Sequence, residues 1–195
     1  MARIEHKGAP SGHGCVALTT FAHVSNKRVK QEGLVAQATW LQAVSGEEIH
    51  ALRQDPTSIN RLDKPDHYRT HYGAALNYFL TGEAWPSPED HELWPVVGGA
   101  DSIACSTLEN GAFSVVSPDQ ATELAARLAT VDVLAVETAV RQADFEELID
   151  EHEIYELELI TPDEGPGVIV AELEGLTAFY AKTAESKLGV VMYTT

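Results

Sequence analysis

Twice in this chain an apolar, strand-like run passes without any loop into the start of a helix, and this constrains the fold more than any single motif. In the first instance Ala38-Thr-Trp-Leu-Gln-Ala-Val44 is apolar on both pleat faces, with Trp40 and Val44 opposite Leu41 and Ala43. That pattern predicts a strand buried on both sides. Ser45-Gly-Glu-Glu48 follows at once and has the form of a capping box. Ser45 accepts from a free helix N–H while Glu48 reaches back to the cap. Ile49 and Leu52 form the inward stripe, and Asp55-Pro56 stops the helix.

The second instance runs from Ala112-Phe-Ser-Val-Val116 straight into Ser117-Pro-Asp-Gln120, which supplies a cap, a proline at the first helical position and a glutamine three residues on. Leu124, Ala125, Leu128 and Val131 continue it as an apolar stripe. Interleaved strands and helices imply a mixed α/β (α+β) class, with a central mixed sheet packed by helices.

Other elements are placed by spacing. A helix is expected from about Asp66 to Leu80, ended by Thr81-Gly82, with Leu76, Phe79 and Leu80 on its buried face. Trp85-Pro-Ser-Pro-Glu-Asp90 reads as a loop, and Leu93-Trp-Pro-Val-Val97 as a short strand turning at Gly98-Gly99. Phe145, Leu148 and Ile149 mark a short helix. Ile169, Leu173, Leu176 and Tyr180 step by three and four along a long last helix, and Val190-Val-Met-Tyr193 closes the chain as a strand. Trp40, Phe79, Trp94 and Phe179 fall at core-like spacings.

At 195 residues the chain is one domain, or one with an extension. A chain of this size buries roughly 70% of its unfolded surface, enough for a core without staples. Only Cys15 and Cys105 occur, so no disulfide framework is indicated. No apolar run is long enough to span a bilayer, no secretory h-region is present, and the expected location is cytoplasmic.

Residues 1–34 stand apart. Through Gly33 they hold five cationic side chains against two carboxylates, a net +3, leaving −20 of the total −17 to the rest of the chain. Gly8, Pro10, Ser11, Gly12 and Gly14 deny the opening any period, and residues 15–24 have only weak strand character. This reads as a flexible arm, or as a basic arm that binds something. A third reading is that the native protein begins near Val35. Gln31-Glu32-Gly33 can be encoded by a purine-rich ribosome-binding core, and Val35 by a GTG start. The domain proper then spans 35–195.

From Gln142 to Ala181 there are a dozen carboxylates and no Lys or Arg. Such a surface repels nucleic acid and anionic lipid. It lacks the alternating Asp/Asn pattern and central glycine of a calcium loop, so a solvated face is expected.

Candidate chemistry is sparse. His67-Tyr-Arg-Thr-His71 places two imidazoles at i and i+4, a spacing at which one helix presents both to a metal, with Asp63 as a possible third ligand. Tyr68 stands where a helical zinc hydrolase needs Glu, and Pro65 puts Asp63 outside the helix, so surface histidines are the plainer reading. Cys105, between Ala104 and Ser106, has no neighbour in sequence that activates it. Gly98-Gly99 lacks the Lys-Ser/Thr of a phosphate loop, and no nucleophile elbow occurs. No catalytic, cofactor-binding or metal-binding residue is assigned, and no cofactor is expected.

Four segments resemble the YfbM-like family of small bacterial domains of unknown function over residues from about 37 to 195. Trp40 to Leu52 resembles its opening strand and capped helix, and Leu76-Asn-Tyr-Phe-Leu-Thr-Gly82 its helix ending in Leu-Thr-Gly. Gly111 to Gln120 resembles its strand followed by a Thr-Pro-Glu-Gln helix start. Leu176-Thr-Ala-Phe-Tyr180 with Gly189-Val-Val-Met-Tyr193 resembles its final helix and strand. Thr70, His71 and Gly73 stand where the family usually has Asp-Lys and Trp, and an Asp63-Lys64 pair lies nearer the N-terminus. The resemblance implies a compact α/β fold and no established activity.

The expected function is therefore non-enzymatic: an acidic binding protein for a basic protein partner, a shape and charge that suit an immunity-type inhibitor. The alternative is a metal-dependent enzyme using His67 and His71. The start-site reading is checked by intact mass of the protein made from its own gene. A mass lacking residues 1–34 is expected, and one that includes them overturns that reading.

Overall fold

The computed structural model describes residues 37–62, 66–83 and 91–195. The arm at 1–34, Asp63, Lys64, Pro65 and the proline-dense loop at 85–90 lie outside them.

Five strands form one sheet: β1 (Thr39–Val44), β2 (His67–Thr70), β3 (Asp101–Ala104), β4 (Ala112–Val116) and β5 (Gly189–Thr194). Their order is β2-β1-β5-β4-β3, and every pairing is antiparallel. The α/β class holds, but the sheet is antiparallel throughout rather than mixed. The last strand enters the middle, between β1 and β4, so each neighbour runs against it.

Helices α1 (Gly46–Gln54), α2 (Gly73–Thr81), α3 (Pro95–Gly98), α4 (Pro118–Leu128), α5 (Val133–Gln142), α6 (Phe145–His152) and α7 (Gly165–Glu185) surround the sheet, with 3₁₀ turns at Pro56–Arg61 and Tyr155–Leu159. Alternation along the strands divides the core in two. Leu41, Val116, Val190 and Met192 face a thick layer built from α2 to α7. Val44, Phe113, Val115 and Val191 face a thin layer of Ile49 and Leu52 of α1, Ile59, and Cys105. β1, expected to be buried on two sides, is so from Leu41 to Val44, and the closing strand β5 is likewise buried on both faces from Gly189 to Met192.

The capping boxes form as read. Ser45 Oγ accepts from Glu48 N at 3.2 Å, and Glu48 Oε2 accepts from Ser45 N at 2.8 Å. Ser117 and Gln120 repeat the exchange at 3.3 and 2.9 Å. Gly82, at φ 77°, closes α2 with its N–H on Tyr78 O.

Two further expectations are corrected. The stretch taken as a helix from Asp66 begins instead as β2, and the helix starts only at Gly73. Tyr68 and Thr70 suit a pleated edge, and β1 offers them a ladder in which Trp40 faces Arg69 and Leu41 faces Tyr68. Pairing along β1 outweighs the local helical pattern. Leu93–Val97 is no strand: Pro95 lacks an N–H for a ladder and opens the single turn α3 instead. The buried Tyr180 hydroxyl donates to the Val96 carbonyl at 2.9 Å, tying that turn to α7.

β5 threads closely past its neighbours. A Cβ on Gly189 would lie 2.4 Å from the Val116 carbonyl oxygen and 2.6 Å from Ile49 Cδ1. Gly189→Ala is therefore expected to destabilise the protein by about 2–3 kcal/mol. Ser117→Ala, which removes one cap, costs about 1 kcal/mol. Urea unfolding midpoints of the two variants check both the size and the order.

Candidate functional site

The end of β2 and the start of α2 bring together the partly buried polar side chains of Tyr68, Tyr72, Glu156 and Glu172. Tyr68 points from β2 onto α7, where Gly175 leaves it room; a Cβ there would sit 3.0 Å from Tyr68 Cε2. The Tyr68 hydroxyl donates to the Glu172 carbonyl at 2.9 Å and to the Glu172 carboxylate. Burial, then Glu172, pushes its pKa well above the ordinary tyrosine range. Tyr72 is raised too, by burial first and then by Glu172 and Glu164.

α2 has no side-chain cap of its own, since Tyr72 stands at that position. Glu156, from the 3₁₀ turn far along the chain, takes over: its carboxylate accepts from Ala74 N at 2.8 Å. A carboxylate suits a helix N-terminus, where free N–H groups and the helix dipole meet it. Burial raises the Glu156 pKa, against the pull of its own and Ala74's N–H groups. Both carboxylates are thus engaged in joining elements, and the cluster is a packing joint.

The two histidines do not meet on a helix. An extended chain spreads i and i+4 over about 13 Å, against about 6 Å on a helix. His67 is exposed, with its ring against Trp40 at 5.4 Å, and Arg69 lies over the same indole. His71 Nδ1 is buried beyond the end of β2 and has no hydrogen-bond partner. Among the described residues no three His, Cys, Asp or Glu side chains are gathered as a metal site. Cys105 is buried beside Ile59 and Phe113. Its sulfur lies 3.2 Å from Thr107 Oγ1, a contact that lowers the thiol pKa while burial opposes it. Gly99, at φ 75°, packs against Ser114 and makes a close crossing over β4.

What remains for recognition is the acidic surface. Its carboxylates fall into two sets. Asp144 caps α6 by accepting from Glu146 N and Glu147 N, and Glu164 accepts from the Thr161 N–H and hydroxyl, which lower its pKa. With Glu156 and Glu172 these four serve the fold. Glu146, Glu147, Asp150, Glu151, Glu153, Glu158, Asp163 and Glu174 are all exposed. Among the described residues no Lys or Arg forms an ion pair with Glu146, Glu147, Glu151, Glu153, Glu158, Asp163 or Glu174. Tyr155 and Leu159 stand half-exposed among them, at 51% each. An open depression of about 470 Å³ adjoins, lined by Gln142, Asp144, Phe145, Glu146 and Pro162. No helix among the described residues is long and apolar enough to cross a membrane.

Sequence reasoning finds the acidic run but not its division into inward and outward members. Glu172 is the one member whose role had a signal, because Gly175, three residues on in the middle of α7, marks a close approach.

Tyr68→Phe is expected to cost about 1–2 kcal/mol through the lost hydrogen bonds. The folded protein holds the Tyr68 proton more tightly than the unfolded chain does, so this contribution is complete below about pH 10 and declines as pH rises beyond it. Thermal unfolding across that range should show the variant losing stability less steeply than the native protein.

The comparisons agree with this architecture. The crystal structure of a protein of unknown function, YfbM from Escherichia coli, superposes with a TM-score of 0.64 at 16% identity, covering 81% of this chain and 99% of that one. At that identity the likeness is one of fold. Among curated proteins none matches. The model of the domain of unknown function DUF1877 matches residues 38–193, and the chain belongs to that family.

Proposed function

We propose that this protein is a non-enzymatic binding protein that presents the surface of α6, the following 3₁₀ turn and the start of α7 to a basic protein partner. The observation that carries the reading is the row of exposed carboxylates Glu146, Glu147, Glu151, Glu153, Glu158 and Asp163, which form no ion pair among the described residues, with Tyr155 and Leu159 half-exposed among them. Charge of one sign over a continuous surface steers an oppositely charged partner and speeds its encounter. Two exposed apolar side chains within it supply what charge alone does not, a dry contact that holds the partner once it arrives. An inhibitor of the immunity type suits this chemistry, its carboxylates covering a toxin's cationic site. The same charge disfavours nucleic acid and anionic membrane.

Screening shortens to about 8 Å at physiological ionic strength, so affinity for the partner falls steeply with salt. The test is affinity capture at low ionic strength with the native protein and a Glu151→Lys/Glu158→Lys variant as baits. Glu151 lies in the last turn of α6, where a lysine does not oppose the helix dipole, so the variant keeps its fold. A basic protein retained by the native bait, released by salt and missed by the variant is the expected result. Recovery of nothing basic, or equal recovery on both baits, overturns the reading.

A further inference from the structure

A second feature of the surface lies away from the α6 carboxylates. The end of α4, the short link after it and the start of α5 form one wall of an open groove of about 310 Å³, and α7 forms the other. Its floor is Leu128 and Leu173, both buried. Beyond Glu174 the α7 wall offers short side chains, Thr177, Ala178 and Ala181, the two alanines exposed. At the α5 end Val133 lines the groove at 37% exposure, and Leu134 beside it is 69% exposed, more than any other large apolar residue among those described. Val133 and Leu134 open an amphipathic helix whose buried face is carried by Val136 and Val140, so the core leaves them outward.

The volume is at the low end for small-molecule pockets, and the groove is open along its length. Short side chains on one wall and apolar ones on the other suit a helix laid into it. The charges around the groove restrict which helix. Glu174 lines it, Asp132 caps α5 between Val131 and Val133, and Glu185 lies exposed one turn beyond Ala181. The nearby cations are committed elsewhere: Arg127 to Glu92 and Glu123, Lys182 to Asp66. A second copy of this chain would bring its own Glu174 and Asp132 against these, and like charges facing across an interface are repulsive.

We propose that the groove between α4, α5 and α7 docks an amphipathic basic helix, its apolar stripe on Leu128, Leu173 and Val133 and its Lys or Arg side chains reaching Asp132, Glu174 and Glu185. The inference rests on the reading of a basic partner and assigns that partner a helical contact element.

A fluorescently labelled helical peptide of about 15 residues made of Leu and Lys serves as the probe. Its control is an isomer of the same composition with the apolar stripe scrambled. Anisotropy titration is expected to show the striped peptide binding at least about tenfold more tightly, a difference of about 1.4 kcal/mol. Ala178→Arg and Ala181→Arg, both at exposed positions, should each abolish that preference. Glu151→Lys/Glu158→Lys should lower binding of both peptides and keep the preference. This separates the groove from the acidic surface, because failure of the surface reading leaves the preference intact. Equal binding of the two peptides overturns the inference. So does a preference that survives both arginine variants, or concentration-dependent dimerisation that Ala178→Arg removes.

Discussion

The structure depends on β5. Among the described strands it is the only one whose two neighbours, β1 and β4, are both remote in sequence, and it pairs with β1 along its whole length and with β4 from Val190 to Met192. Its residues Val190 and Met192 complete one core while Val191 completes the other, so neither layer closes without it. α7 delivers it: the long helix packs on α4 and α5 on the thick side of the sheet and then turns at Lys187, at φ 55°, into the strand. Without β5, β1 with β2 and β4 with β3 would be two separate two-stranded ribbons. Such ribbons are marginal in water. The cooperative fold therefore waits for a contact between the two ends of the described chain, a non-local arrangement that slows folding through loop-closure entropy.

What was legible in the sequence follows from that arrangement. The capped helices α1 and α4, the stripe of α7 and the doubly apolar strands β1 and β5 are specified by neighbours within a few residues, and they appear where the spacing puts them. β2 is specified from elsewhere. His67-Tyr-Arg-Thr70 has no strong period, and only the open edge of β1 makes it a strand. β3 is short, with its residues mostly exposed, and it exists because β4 offers an edge. α5 is not legible as a separate helix, because its stripe of Val136 and Val140 follows α4 after a brief link and blurs into the earlier one.

The candidate site shows the same limit in sharper form. A run of carboxylates can be counted, but which members turn inward is decided by partners far away in the chain. Glu156 caps a helix 82 residues earlier, and Glu172 meets a tyrosine 104 residues earlier. The imidazoles failed for a related reason. Their i and i+4 spacing carries meaning only on a helix, and a strand converts it into separation.

The outward carboxylates raise a question of cost: the strongly anionic segment from Gln142 to Ala181 has no Lys or Arg of its own. Part of the answer lies in placement. Asp144, Glu146 and Glu147 sit at the N-terminus of α6, and Glu164 at that of α7, where free N–H groups and the helix dipole favour negative charge. Glu156 does the same for α2. Each contributes to the stability of its helix, so the cluster needs no salt bridges to be tolerated. This does not extend to Glu151 and Glu153, which lie at the C-terminal end of α6, where the helix dipole opposes negative charge. Their mutual repulsion is uncompensated within the described fold, and a cationic partner is the kind of neighbour that would relieve it.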